Sequence, residues 1–123
     1  MQYMLLIYAD ENMWDAMPAD ERARVSDGFT EVTKKMAAAG ILKGGAQLQR
    51  ARTAATVRVR QGRHKIVDGP FAETKEHLGG YYLIDVPSLE EATQWAAQLP
   101  AAAMGSVEVR GLTERQSETI VNE

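Results

Sequence analysis

Two short segments of this chain are apolar on both faces, and each runs into a helix-forming stretch. In Gln2–Ala9, an extended backbone points Tyr3, Leu5 and Ile7 one way and Met4, Leu6 and Tyr8 the other. Tyr81–Val86 has the same two-sided character. A strand with one wet face alternates polar with apolar residues, so both segments must be covered on both sides. After the first, Pro18–Ala39 spaces Val25, Phe29, Val32 and Met36 by 4, 3 and 4, one apolar stripe of a helix stopped by Gly40. Pro18, Asp20 and Glu21 suit its first turn, Asp15 is a candidate cap, and Asp10–Met17 reads as a loop. After the second, Ser88-Leu89-Glu90-Glu91 is a capping box. The helix it opens carries Leu89, Ala92, Ala96 and Leu99 and is ended by Pro100.

Between these two halves lie weaker elements. Ile41–Gln49 reads as a strand with a bulge or kink at Gly44-Gly45. Thr56–Gln61 and His64–Val67 form a hairpin, with Val57 and Val59 inward and Arg58 and Arg60 outward. Ala72–Leu78 has room for a turn or two of helix before Gly79-Gly80, and Ser106–Arg110 is a last strand with Val107 and Val109 inward. The order predicts an α+β domain over residues 1–112, with 113–123 as a polar tail. Its expected form is a ferredoxin-like split βαβ antiparallel sheet, two helices on one face and an inserted hairpin. Two helices cover only one face. Leaving several large apolar side chains wet on the other costs about 1.5–3 kcal/mol each. A patch of that size marks an interface, so the expectation is a homodimer whose sheets meet face to face.

Composition narrows the chemistry. With 123 residues, 45% of them hydrophobic and 25% charged, the chain is one globular domain and not a disordered one. It has no cysteine, which excludes disulfides, thiolate nucleophiles, zinc–thiolate sites and iron–sulfur clusters. The longest apolar run, Met4–Ile7, falls far short of the ~20 residues of a membrane span. No basic stretch of a signal peptide precedes it, so a cytoplasmic location is expected. The net charge of −3 conceals a segregation: Asp10–Glu31 holds seven acids and only Arg22 and Arg24, while Val32–Val67 holds nine cations and no acid. No aromatic residue falls in that basic stretch, so it lacks a base-stacking platform and nucleic acid is not an expected partner. The acidic helix of one copy meeting the basic hairpin of another fits the pattern better.

The two histidines, His64 and His77, sit thirteen residues apart in no metal-ligand pattern, so no metal and no cofactor is expected. Each reads first as a surface residue, although His77 can titrate near neutrality as a general acid or base. The run Asp68-Gly69-Pro70-Phe71-Ala72-Glu73-Thr74-Lys75-Glu76 is the densest feature. By turn chemistry alone it is a rigid turn capping a short helix, with Phe71 anchoring it on the apolar body. Read functionally, it presents Asp68, Glu73, Thr74 and Lys75 to a cleft. Arg58 and Arg60, two apart on one strand face, either clamp an anion or keep an edge strand from aggregating.

The opening Met1–Tyr8, the nine-residue run Asp68–Glu76, the continuation Leu78–Ile84 and Gly105–Arg110 together resemble the DGPF branch of the YCII-related proteins. That resemblance implies a ferredoxin-like fold dimerising into an α+β barrel. Some of the wider family resemble dehydrochlorinases with a proposed His–Asp dyad whose His lies on the first helix. Pro18–Ala39 contains no His and Gln98-Leu99-Pro100 no acid, so the dyad does not carry over. The branch is also associated with extracytoplasmic-function sigma factors. Two readings follow. In the first, a homodimer binds a small polar or anionic molecule beside the DGPF loop and transfers a proton. Asp68 or Glu73 would be the base, with His77 as a further acid–base group. Arg58, Arg60 or Lys75 would clamp the anion, Tyr81 or Tyr82 form the wall, and Gly69, Pro70, Phe71 and Thr74 shape the loop. In the second, the chain is a non-enzymatic accessory of a sigma factor.

Overall fold

The computed structural model describes residues 1–72 and 74–113. Along them run β1 (Gln2–Ala9), α1 (Glu11–Ala16), α2 (Ala19–Ala38), β2 (Leu42–Gln47), β3 (Ala55–Arg60), β4 (Arg63–Asp68), β5 (His77–Asp85), α3 (Leu89–Ala97), α4 (Ala101–Met104) and β6 (Ser106–Gly111). A 3-10 turn occupies Ala51–Thr53. Four strands form one sheet in the order β2-β5-β1-β6, every pairing antiparallel. The architecture is α+β, and its strand order is compatible with the ferredoxin-like arrangement.

The two-sided strands, β1 and β5, take the middle of the sheet, where each is paired along both edges. Tyr3 and Leu5 of β1 and Ile84 of β5 are buried with Val32 and Met36 of α2, Ala92 and Ala96 of α3, and Leu99. Tyr82, Val107 and Val109 pack against this cluster. The opposite face carries Met4, Leu6, Tyr8, Tyr81 and Leu83, all half-buried. At the end of α2, Gly40 takes φ +74°, and the amides of Gly40 and Ile41 turn back to the carbonyls of Ala37 and Met36. That double closure is the Schellman stop, which glycine reaches without steric cost. Ser88 caps α3 by accepting the Glu91 N–H at 3.2 Å. Pro100 does not end that helix: α3 stops at Ala97, Leu99 is buried in the link, and Pro100 opens α4. The register of β2 slips between Leu42 and Gly44, the expected irregularity beside Gly44-Gly45.

Four expectations are corrected. Asp10–Met17 is not a loop: the Asp10 carboxylate accepts the amides of Asn12 and Met13 and so starts α1. Asp15 does not cap α2, which begins at Pro18 without a side-chain cap. Ala72–Leu78 contains no helix over its described residues. His77 and Leu78 instead extend β5, because the ladders to β1 and β2 continue through Gly79 and Gly80. Val57 and Val59 do not point inward: β3 and β4 pair only with each other, in a ribbon separate from the main sheet. With no layer beneath that ribbon, Val57 is 59% and Val59 51% exposed.

Candidate functional site

The polar side chains converge at one end of the sheet, where β1 finishes and β5 and β6 begin. Ala9, the last residue of β1, pairs with His77, the first of β5. Two residues on, Glu11 opens α1, and the Asp10 cap sets the path of the chain there. One oxygen of Glu11, Oε2, accepts the N–H of Ala51 at 3.0 Å. The other, Oε1, lies 3.7 Å from His77 Nδ1. That nitrogen is buried and has no hydrogen-bond partner among the described residues. A buried ring nitrogen left unpaired is costly, so the gap beside it is a place for a ligand atom or a water.

One turn further along α1, Asp15 receives the guanidinium fork of Arg50: Nη1 donates to Oδ2 at 2.7 Å and Nη2 to Oδ1. These hydrogen bonds hold the Asp15 carboxyl below its usual range and raise Arg50 above its own. Arg50 also lines an open cavity of about 490 Å³ together with Gln47, Leu48, Gln49 and Thr53. On the other flank of His77, Glu76 accepts the Ser106 hydroxyl at 2.9 Å, and the Glu76 carbonyl accepts Thr74 Oγ1 at 2.5 Å. The arrangement is an imidazole beside a carboxylate pinned by a backbone amide, next to a cavity with a fixed guanidinium. Protonated, His77 has Glu11 as the acceptor that orients its ring; neutral, it has a free nitrogen to take a proton. A 3.7 Å separation is longer than a hydrogen bond, within the range that tightens when a ligand binds.

A second polar group lies on the open sheet face. Tyr8 Oη donates to Glu108 Oε1 at 3.2 Å, and Arg110 donates to the other oxygen of Glu108. Arg110 lowers the Glu108 carboxyl, while burial, then the hydrogen bond to Glu108, raises the Tyr8 phenol.

The residues singled out from the sequence fall in four places. His77 is in the polar cluster, and Thr74 reaches its flank through the Glu76 carbonyl. Asp68 is exposed at the end of β4, and Gly69, at φ +99°, closes the base of the ribbon. The Gly69 N–H donates to the Ala54 carbonyl at 2.6 Å, and its carbonyl accepts Thr56 Oγ1 at 2.9 Å. Pro70 is half-buried, but Phe71 is 77% exposed and does not anchor the loop. Its ring lies under the Arg58 guanidinium, 5.3 Å from the centroid, so a cation and not the apolar body is its partner. Arg60 and Lys75 are exposed, with Arg60 Nη1 donating to the Val59 carbonyl. Glu73 lies outside the described residues. Tyr81 and Tyr82 occupy opposite faces of β5 and cannot wall one cleft. Tyr82 meets Thr33 Oγ1 at 2.8 Å, and because Thr33 donates to the Phe29 carbonyl, the phenol is the donor. Glu11, Asp15 and Arg50 escaped the reading from sequence. Asp10 followed by an amphipathic hexamer was the signal for α1, but nothing local pairs residues 35 apart.

The sheet order, the helices on one face and the inserted ribbon define a small α+β domain, compatible with the split βαβ arrangement. Residues 1–116 match the YCII-related domain. Over 114 residues the chain is 44% identical to an uncharacterized protein of Rhizobium meliloti (strain 1021), an alignment covering 91% of this chain and 92% of that one. The chain belongs to the YCII-related family. Among the described residues, no helix is long and apolar enough to cross a membrane, and no cluster of three His, Asp or Glu side chains is placed to hold a metal ion.

Proposed function

We propose that this YCII-related protein is a homodimer that binds a small polar or anionic molecule at the end of β1, with His77 as the proton-transfer group. The observation that carries this reading is the unpartnered His77 Nδ1, 3.7 Å from a Glu11 carboxylate that is itself fixed by the Ala51 amide. Arg50 supplies the cation at the adjoining cavity, and the DGPF loop sets where His77 enters the sheet. Elimination or hydrolysis are the reaction classes that need such a group. The half-buried face of Met4, Leu6, Tyr81 and Leu83 supports dimerisation through the sheet. The alternative, a non-enzymatic accessory of a sigma factor, draws only on the exposed cationic ribbon.

A melting screen against aromatic carboxylates, phenols and their neutral analogues tests this reading. A ligand at 100 times its Kd stabilises the fold by about 2.7 kcal/mol. The expected result is a raised Tm for at least one anionic compound, smaller in His77→Gln and unchanged in Asp68→Asn. A screen with no shift at all sinks the binding site, and an undiminished shift in His77→Gln removes His77 from it. Light scattering at micromolar concentration is expected to give about twice the 13.6 kDa chain mass, and a single chain mass refutes the dimer.

A further inference from the structure

We propose that the β3–β4 ribbon is an intersubunit arm that lies against the body of a second copy of this chain. The cross-strand register gives the ribbon two unlike faces. Val57 pairs with Ile66 and Val59 with His64, while Arg58 pairs with Lys65 and Arg60 with Arg63. Successive residues alternate sides, so one face is aliphatic and the other holds four cations. Val57, Val59 and Ile66 are 59%, 51% and 67% exposed, a contiguous aliphatic row in water. The Gly69 bonds to Ala54 and Thr56 close the ribbon's own base, and its two strands pair with each other and with no strand of the main sheet. A lone two-stranded hairpin is marginal in water at best. This one therefore needs cover whenever the chain is folded, and another copy is the partner present at every such moment.

Charge selects the same occupant. Ala55–Asp68 holds four cations and one carboxylate, a net +3, and the whole chain sums to −3, so everything outside the ribbon carries −6. No carboxylate among the described residues forms an ion pair with Arg58, Arg60, Arg63 or Lys65. An arm of +3 is thus drawn to a body of −6, which is the body of its own twin. Ribbon-on-ribbon pairing along an edge is opposed, because it sets cation rows against each other. Three of the seven acids in the stretch that suggested an acidic helix are paired within the chain: Asp15 with Arg50, Asp20 with Arg24 and Glu31 with Lys35. The attraction belongs to the body as a whole and not to α2 alone. A two-fold axis makes the contact reciprocal, each copy giving an arm and receiving one.

Hydrogen exchange on the wild-type chain across its dissociation range tests the arm without any mutation. The ribbon amides are expected to gain at least tenfold protection as the dimer fills, and sedimentation of Val57→Thr/Ile66→Thr is expected to show a dimer Kd about tenfold weaker. Sedimentation of Leu6→Glu reports separately on the sheet face. Ribbon exchange that ignores dimerisation, leaving the arm free as docking on a regulator needs, overturns the proposal. So does an unchanged Kd in the double threonine variant with a Kd raised by Leu6→Glu, which keeps the sheet-face dimer and discards the arm. The converse pattern keeps the arm and discards the sheet face. A chain that stays monomeric at every concentration refutes both.

Discussion

Gly105 joins α4 to β6 at the point where the chain passes closest to the central strand. A Cβ built there falls inside the contact distance of the Tyr8 carbonyl oxygen and 3.2 Å from the Ala9 Cα. Both obstacles are backbone of β1, held between β5 and β6 by ladders on either side, so no rotamer change relieves them. Overpacking a fitted site costs about 1–3 kcal/mol, and an immovable neighbour puts Gly105→Ala at the upper end. Unfolding releases about 2.1 cal/mol/K per residue, or ~0.23 kcal/mol/K for a fold of this size, so a 3 kcal/mol loss lowers Tm by about 13 °C. Gly44→Ala is the internal comparison. Its added methyl meets only Leu83 Cβ at 4.0 Å, an ordinary contact, and it removes backbone freedom from the unfolded chain. That variant is expected to gain about 0.4–1 kcal/mol, a rise of a few degrees. Calorimetry of both proteins at one concentration decides the matter. If Gly105→Ala melts within about 2 °C of wild type, the tight approach of β6 to Tyr8 is wrong, and with it the placement of Ser106 beside Glu76.

The remaining predictions address the site and the ribbon. Asp15→Asn is expected to melt below wild type at neutral pH and level with it under strongly acidic conditions. The reason is that the Asp15 carboxyl titrates lower folded than unfolded, so its contribution is present above the unfolded value and is lost as pH falls through the folded one. Equal melting of the two proteins at neutral pH would show that the Arg50 fork adds nothing to stability. Phe71→Ala is expected to cost under about 1 kcal/mol, the loss of one exposed cation–π contact, and a fall in Tm beyond ~5 °C would mean the ring is buried after all. Gly69→Ala forces a side chain into φ +99° and is expected to cost about 1–3 kcal/mol. Its signature is faster hydrogen exchange in β3 and β4 before the main sheet opens; uniform exchange across both sheets would count against a hinge at the ribbon base.

What the sequence made legible was periodic. The two-sided apolar character of Gln2–Ala9 and Tyr81–Val86 marks both as strands, and they are the two central ones, β1 and β5. The Val25–Met36 stripe and the Ser88 box placed the two long helices for the same kind of local reason. Two errors came from assuming that apolar means inward. Val57 and Val59 alternate as neatly as Val107 and Val109, yet the former sit on a ribbon with nothing beneath it and the latter on the helix-covered sheet. Phe71, the one large apolar residue in a polar run, reads as a core anchor, and its partner is the Arg58 guanidinium. The site was the least legible part. Of the residues the sequence singles out, His77 lies in the candidate site and Thr74 on its flank; Glu11, Asp15 and Arg50 reach it through pairings 35 to 66 positions apart, which leave no local trace.

The charge segregation acquires a physical meaning once these pairings are drawn. Three acids of the first third act at the site end of the sheet: Asp10 as a cap, Glu11 on the Ala51 amide and Asp15 on Arg50. Of the basic stretch, Arg50 pairs at that end and Lys35 pairs with Glu31 along α2, while the four ribbon cations have no carboxylate partner among the described residues. One division of charge thus serves two ends. It places Glu11 beside His77 and Asp15 on Arg50 inside one chain, and it leaves the ribbon cationic enough to resist pairing with its own kind. In the proposed dimer such a surface, repelled by its twin's ribbon and attracted to its twin's body, would cross arms over bodies and take the aliphatic row of Val57, Val59 and Ile66 out of water.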